Sequence, residues 1–149
     1  MTPEVPPVES LTGLRRERLR FVGFSFDRLP SGRCRAEVTL ELGPGERWVG
    51  TAEGVASDTG ELRCAAEATL RAIEQSVRQR VAFELLGVKA VRAFDTIVLI
   101  VSVVSKGDDT THRLVGSFLA NHDTARGAAV AVLNATNRLL GNMFRREVA

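Results

Sequence analysis

Residues Arg126 to Asn137 read Arg-Gly-Ala-Ala-Val-Ala-Val-Leu-Asn-Ala-Thr-Asn, and 63 residues earlier Arg63 to Glu74 read Arg-Cys-Ala-Ala-Glu-Ala-Thr-Leu-Arg-Ala-Ile-Glu. Arg, three Ala, Leu and a further Ala recur in the same order. Upstream, Asp58-Thr59 answers Asp123-Thr124, Val49-Gly50 answers Val115-Gly116, and Gly23 answers Gly87. A fixed self-similar period means one supersecondary unit used more than once. The 149 residues therefore hold a unit of about 64 residues twice, and together these make one ordinary domain with a real core.

Within each unit the hydrophobic period changes from two to 3.6. The Leu14–Leu29 stretch reads as a strand with Val22, Phe24 and Phe26 on one face and Leu19 and Phe21 on the other. Pro30-Ser31-Gly32 and Gly43-Pro44-Gly45 are turns that bound a strand over Cys34–Leu42, where Ala36, Val38, Leu40 and Leu42 alternate with polar residues. Arg47–Ala56 makes a third strand. Asp58 then offers an N-cap with Glu61 three residues on, and the spacing predicts a helix over Glu61–Arg80. Leu62, Ala66, Leu70, Ile73 and Val77 form its apolar stripe.

The second copy repeats this order. Strands are expected over Phe83–Ala93, Thr96–Val104 and His112–Ala120, with Lys106-Gly107-Asp108-Asp109 as a polar turn. Thr96–Val104 is so continuously apolar that burial on both faces is expected. Asp123 caps the second helix, its stripe is Ala129, Val132, Leu133, Thr136 and Leu140, and Gly141 is its expected stop. The reading is an α+β domain of two βββα repeats, with antiparallel sheets covered on one face by two helices. Residues 1–12, rich in proline and acids, are expected to be a disordered tail, and 13–149 a single domain divided at about 14–81 and 82–144.

Composition narrows the function classes. A net charge of +2 is too small to imply a polyanionic partner, and 18 of the 20 basic residues are Arg, with Lys89 and Lys106 the exceptions. Cys34 and Cys64 have no pairing pattern, Met1 to Ser10 have no signal-peptide layout, and no apolar run is long enough for a membrane span. A cytoplasmic location is therefore expected. Cys34, Cys64, His112 and His122 lack ligand spacing, so no metal and no cofactor are expected. No nucleophile or phosphate-loop motif is present, and catalysis is not expected. The Arg15-Arg16-Glu17-Arg18-Leu19-Arg20 run leaves a nucleic-acid-binding protein as the last alternative, since it has no companion basic stripe in the sequence.

Two features remain as candidate sites. The helix N-termini and the turns before them, Gly54, Ser57 and Asp58 in one copy and Asn121, His122, Asp123 and Thr124 in the other, present exposed amides that could hold a small anion. Each helix also carries a ridge made only of alanine, Ala65, Ala68 and Ala72 in the first and Ala128, Ala131 and Ala135 in the second. Small residues permit close approach, so the two helices are expected to touch along these ridges, within one chain or across a dimer.

Leu114-Val115-Gly116 and the helix Ala128 to Leu140, with its Ala135-Thr136-Asn137-Arg138 ending, resemble the C-terminal regulatory domain of 2-isopropylmalate and citramalate synthases. Ala93-Phe94-Asp95-Thr96 resembles the family's entry to the buried strand. The resemblance implies two βββα units, a homodimer, and a feedback amino acid bound where the subunits meet. No part of these 149 residues resembles the family's catalytic barrel, and the family's Gly-x-Gly-x-Gly-Pro turn is kept only as Gly50 and Gly54. The reading is a non-catalytic dimerisation or protein-docking module, with a synthase as one candidate partner. The alternative is a regulatory protein that binds a branched-chain amino acid or other small acid.

Overall fold

The computed structural model describes residues 14–16, 18–143 and 145–147, and the tail expected over residues 1–12 lies outside them. A short strand, β1 (Leu14–Arg16), precedes an antiparallel meander of β2 (Arg20–Leu29), β3 (Arg33–Leu42) and β4 (Glu46–Val55), which leads into α1 (Asp58–Ser76). A second meander of β5 (Ala82–Ala93), β6 (Thr96–Gly107) and β7 (Thr110–Ala120) leads into α2 (Thr124–Met143). The chain closes with β8 (Arg145–Glu147), antiparallel to β1. The architecture is α+β with βββα used twice. Helix α1 lies on β3 and β4, α2 lies on β6 and β7, and the helices pack against each other. Both apolar stripes are buried along their whole length, from Leu62 to Val77 and from Ala129 to Leu140.

The paired glycines are used alike in the two repeats. Gly23 and Gly87 each stand at a shift in strand register, between Phe21 and Gly23 in one sheet and between Leu85 and Gly87 in the other. Such a bulge inserts one residue and changes which side chains face inward. In β2 it brings Phe21, Phe24 and Phe26 onto the same inner face, opposite Leu40, Val38 and Ala36. That corrects strict alternation, which places Phe21 opposite to the other two. Gly50 and Gly116 serve closeness instead. A Cβ at Gly50 would fall on the carbonyl oxygen of Ala68 and the nitrogen of Ala72, and one at Gly116 on the same atoms of Ala131 and Ala135. The alanine ridges are buried, and what meets Ala68, Ala72, Ala131 and Ala135 there is strand backbone.

Helix ends depart from expectation for local reasons. Ser57, and not Asp58, is the cap of α1, its Oγ accepting the Gly60 N–H at 3.0 Å. Asp58 is already helical, and the Glu61 carboxylate accepts from Arg28 Nε of β2 at 3.3 Å instead of reaching back to the cap, so no capping box forms. Helix α1 stops at Ser76, short of Arg80, because Arg78 and Gln79 take left-handed φ values of 53° and 60°. The Gln79 N–H then returns to the Glu74 carbonyl at 2.9 Å, which satisfies a C-terminal acceptor. Gly141 does not stop α2, which runs on to Met143.

The repeats are joined by one buried carboxylate. Glu74 is 7% exposed, and its Oε2 accepts the Phe83 N–H at 2.7 Å while Oε1 accepts from Arg71 Nη1 at 2.9 Å. Arg71 also donates to the Phe83 carbonyl at 3.2 Å, and Arg63 to the Leu85 carbonyl at 3.5 Å. Side chains of α1 thus occupy backbone groups of Phe83 and Leu85 at the start of β5, on a side that would otherwise be an open pairing edge.

Candidate functional site

The candidate residues around the helix N-termini are divided among a strand end, two short connections and the first helical turns. Gly54 lies in β4 opposite Cys34, and Ser57 and Asp58 follow it at the head of α1. Asn121 and His122 are exposed in the bend before α2, Asp123 Oδ1 accepts the Arg126 N–H at 3.2 Å, and Thr124 opens the helix. Ser57 and Asp123 are each engaged within their own turn as caps. His112 is exposed on β7, paired with Ser105 across the strands. Among the described residues no three His, Cys, Asp or Glu side chains are grouped as a metal site would need.

The cysteines, unconnected in the sequence, are neighbours in space. Cys64 Sγ donates to the Ala52 carbonyl at 3.0 Å and lies 3.8 Å from the Cys34 carbonyl, while Cys34 Sγ donates to the Val55 carbonyl at 3.5 Å. Both are buried, and burial, with Cys34 alongside, pushes the Cys64 thiol up to about 12. A thiol held protonated is a poor nucleophile, so Cys64 fills core space without reacting. In backbone register β1 and β8 set Arg15 opposite Arg146 and Arg16 opposite Arg145.

The clearest difference between the repeats is on the outer faces of their sheets. On the first sheet, cross-strand rows read Arg20–Glu41–Arg47, Ser25–Glu37–Thr51 and Asp27–Arg35–Glu53. Glu41 accepts from Arg47 Nε at 2.7 Å and pairs with Arg20 as well. The Arg47 hydrogen bond holds its carboxyl below the ordinary carboxylate range. Charged and polar side chains dominate these rows, and Val49 and Val55, 42% and 59% exposed, stand apart from each other in the rows of Thr39 and Arg33. On the second sheet the rows read Val91–Val98–Leu119, Lys89–Ile100–Ser117 and Gly87–Ser102–Val115, then Glu84–Val104–Arg113. Val115 is 66% exposed and Leu119 64%. At the hairpin tip beside them, Phe94 is 99% exposed in a left-handed conformation, with φ of 52°.

The expectation of burial on both faces of Thr96–Val104 is therefore corrected. Leu99, Val101 and Val103 are buried under α2, while Val98, Ile100 and Val104 face outward, Ile100 exposed and the two valines half-buried, and no helix or strand among the described residues is layered over them. Strand composition signalled an apolar second face, but which layer covers it is not encoded in periodicity. Contiguous exposed apolar surface of this kind marks interaction sites. Among the described residues no helix is long and apolar enough to cross a membrane. No protein-family model matches the chain, and no curated protein matches it.

Proposed function

We propose that the chain is a non-catalytic dimerisation module, of the kind its resemblance to the synthase regulatory domain implies, and that it associates through the outer face of β5–β7. The observation that carries this is the asymmetry between two otherwise matched repeats. One outer face is mostly charged rows, with Glu41 bridged to Arg20 and Arg47 and with Val49 and Val55 at separate positions, while the other gathers valine, isoleucine and leucine in neighbouring rows. Since helix stripes, bulges and glycine contacts were kept alike in both copies, the apolar face is a feature in its own right.

Sedimentation equilibrium tests this directly. The parent chain is expected to have the mass of two chains, and Leu119→Lys, at a side chain that touches solvent in the single chain, the mass of one. Thr51→Lys, on the outer face of the first sheet, should leave the mass unchanged. A monomeric parent, or a Leu119→Lys variant as dimeric as the parent, would contradict the reading.

A further inference from the structure

Resting on that reading, we infer that two copies meet face to face with the two-fold axis running along β6, so that β5 of each copy lies over β7 of the other. In a two-fold interface each contact occurs twice, so the patch must complement itself. An axis along β6 exchanges the left and right members of every cross-strand row. Glu84 then faces Arg113 of the partner copy, and Arg113 faces its Glu84, which makes two opposite-charge pairs from a single row. Val91 meets Leu119. Val115, standing proud of β7, comes over Gly87, where an added Cβ would find nothing within 4 Å. A projecting side chain thus lies over an empty position.

An axis across the strands does the opposite, setting the charged end with Glu84, Arg113 and Lys106 over the apolar end of Val91, Val98 and Leu119. Charged groups would be desolvated there without partners. Lys106 sits on the preferred axis but at the open end of the sheet, already bridged to Glu84 at 3.6 Å. Area is adequate too. Strands about 4.8 Å apart rising about 3.3 Å per residue give three strands of this length a face on the order of 500 Å². An exposed aromatic such as Phe94 adds on the order of 200 Å², and the axis brings both Phe94 side chains to the same end. Standard interfaces take roughly 800 Å² from each partner.

Charge reversal is the test. Glu84→Arg and Arg113→Glu should each weaken dimerisation about tenfold or more by placing like charges together, and the double variant should recover most of the parent affinity. Gly87→Leu should weaken the dimer, and below the dimerisation range it should melt like the parent at the same concentration, because a Cβ added there meets nothing of its own chain within 4 Å. Single variants as tight as the parent, or a double variant no tighter than either single one, would overturn this arrangement. If Leu119→Lys still produced monomers in that case, the association reading would stand and only the axis would fall. A monomeric parent would overturn both.

Discussion

Alanine at Gly50 is expected to cost about 3 kcal/mol or more, and alanine at Gly116 about as much, the upper end of overpacking penalties. At each position the new Cβ would occupy the space of a helix carbonyl oxygen and an amide nitrogen, groups bonded to one another inside the helix. A flexible side chain could swing away, but helix backbone moves only by shifting the whole helix off its sheet. That shift would open the core under Val38 and Val101, both fully buried opposite these glycines. Leu at Ala68 or Ala131, on the helix side of the same contact, should cost roughly 1–3 kcal/mol, since a side chain there has some room to reorient. Urea midpoints for the four variants check this. Gly50→Ala and Gly116→Ala melting within about 1 kcal/mol of the parent would show that the helices do not ride on the strands as described.

Glu74→Ala is expected to destabilise by about 2–3 kcal/mol, because it strands a buried amide and releases a guanidinium at the joint of the repeats. The Phe83 N–H has the carboxylate as its partner at 2.7 Å, and Glu74 is buried, so water cannot simply replace it. Arg71 is partly exposed and can find solvent, which keeps the cost below that of a fully buried broken pair. Glu74→Gln preserves one acceptor and should lose about half as much. The expected order of stability is parent, Gln, Ala. Equal midpoints for Gln and Ala would mean that the carboxylate oxygen facing Phe83 is not what holds the joint.

What was legible in the sequence is what repeats or what is periodic over a few residues. The order βββα twice, both helix stripes and the pairing of Gly23 with Gly87 follow from local pattern. Bulges do not, since a register shift depends on a partner strand, and strict alternation therefore places Phe21 on the opposite face from Phe24. Ser57 and Asp58 are both good caps, and only backbone geometry chooses between them. Arg78 and Gln79 end α1 without a glycine, so no stop signal was visible. The proximity of Cys34 to Cys64 is a tertiary fact with no trace in spacing. The outer face of β5–β7 shows the same limit: the apolar run in β6 is plain in the sequence, but its surplus over what one layer of helix can cover is a property of the tertiary layering.

Thiol labelling at equivalent positions of the two sheets tests the central claim most directly. Thr39 and Ser102 occupy the middle strands of the two outer faces, and both are partly accessible in a single chain. Cys34 and Cys64 are buried, so each new cysteine would be the reactive one. Labelling of Ser102→Cys is expected to slow as protein concentration rises through the dimerisation range, while Thr39→Cys reacts at one rate throughout. Concentration-independent labelling at Ser102→Cys, or equal protection at both positions, would contradict a dimer built on the outer face of β5–β7.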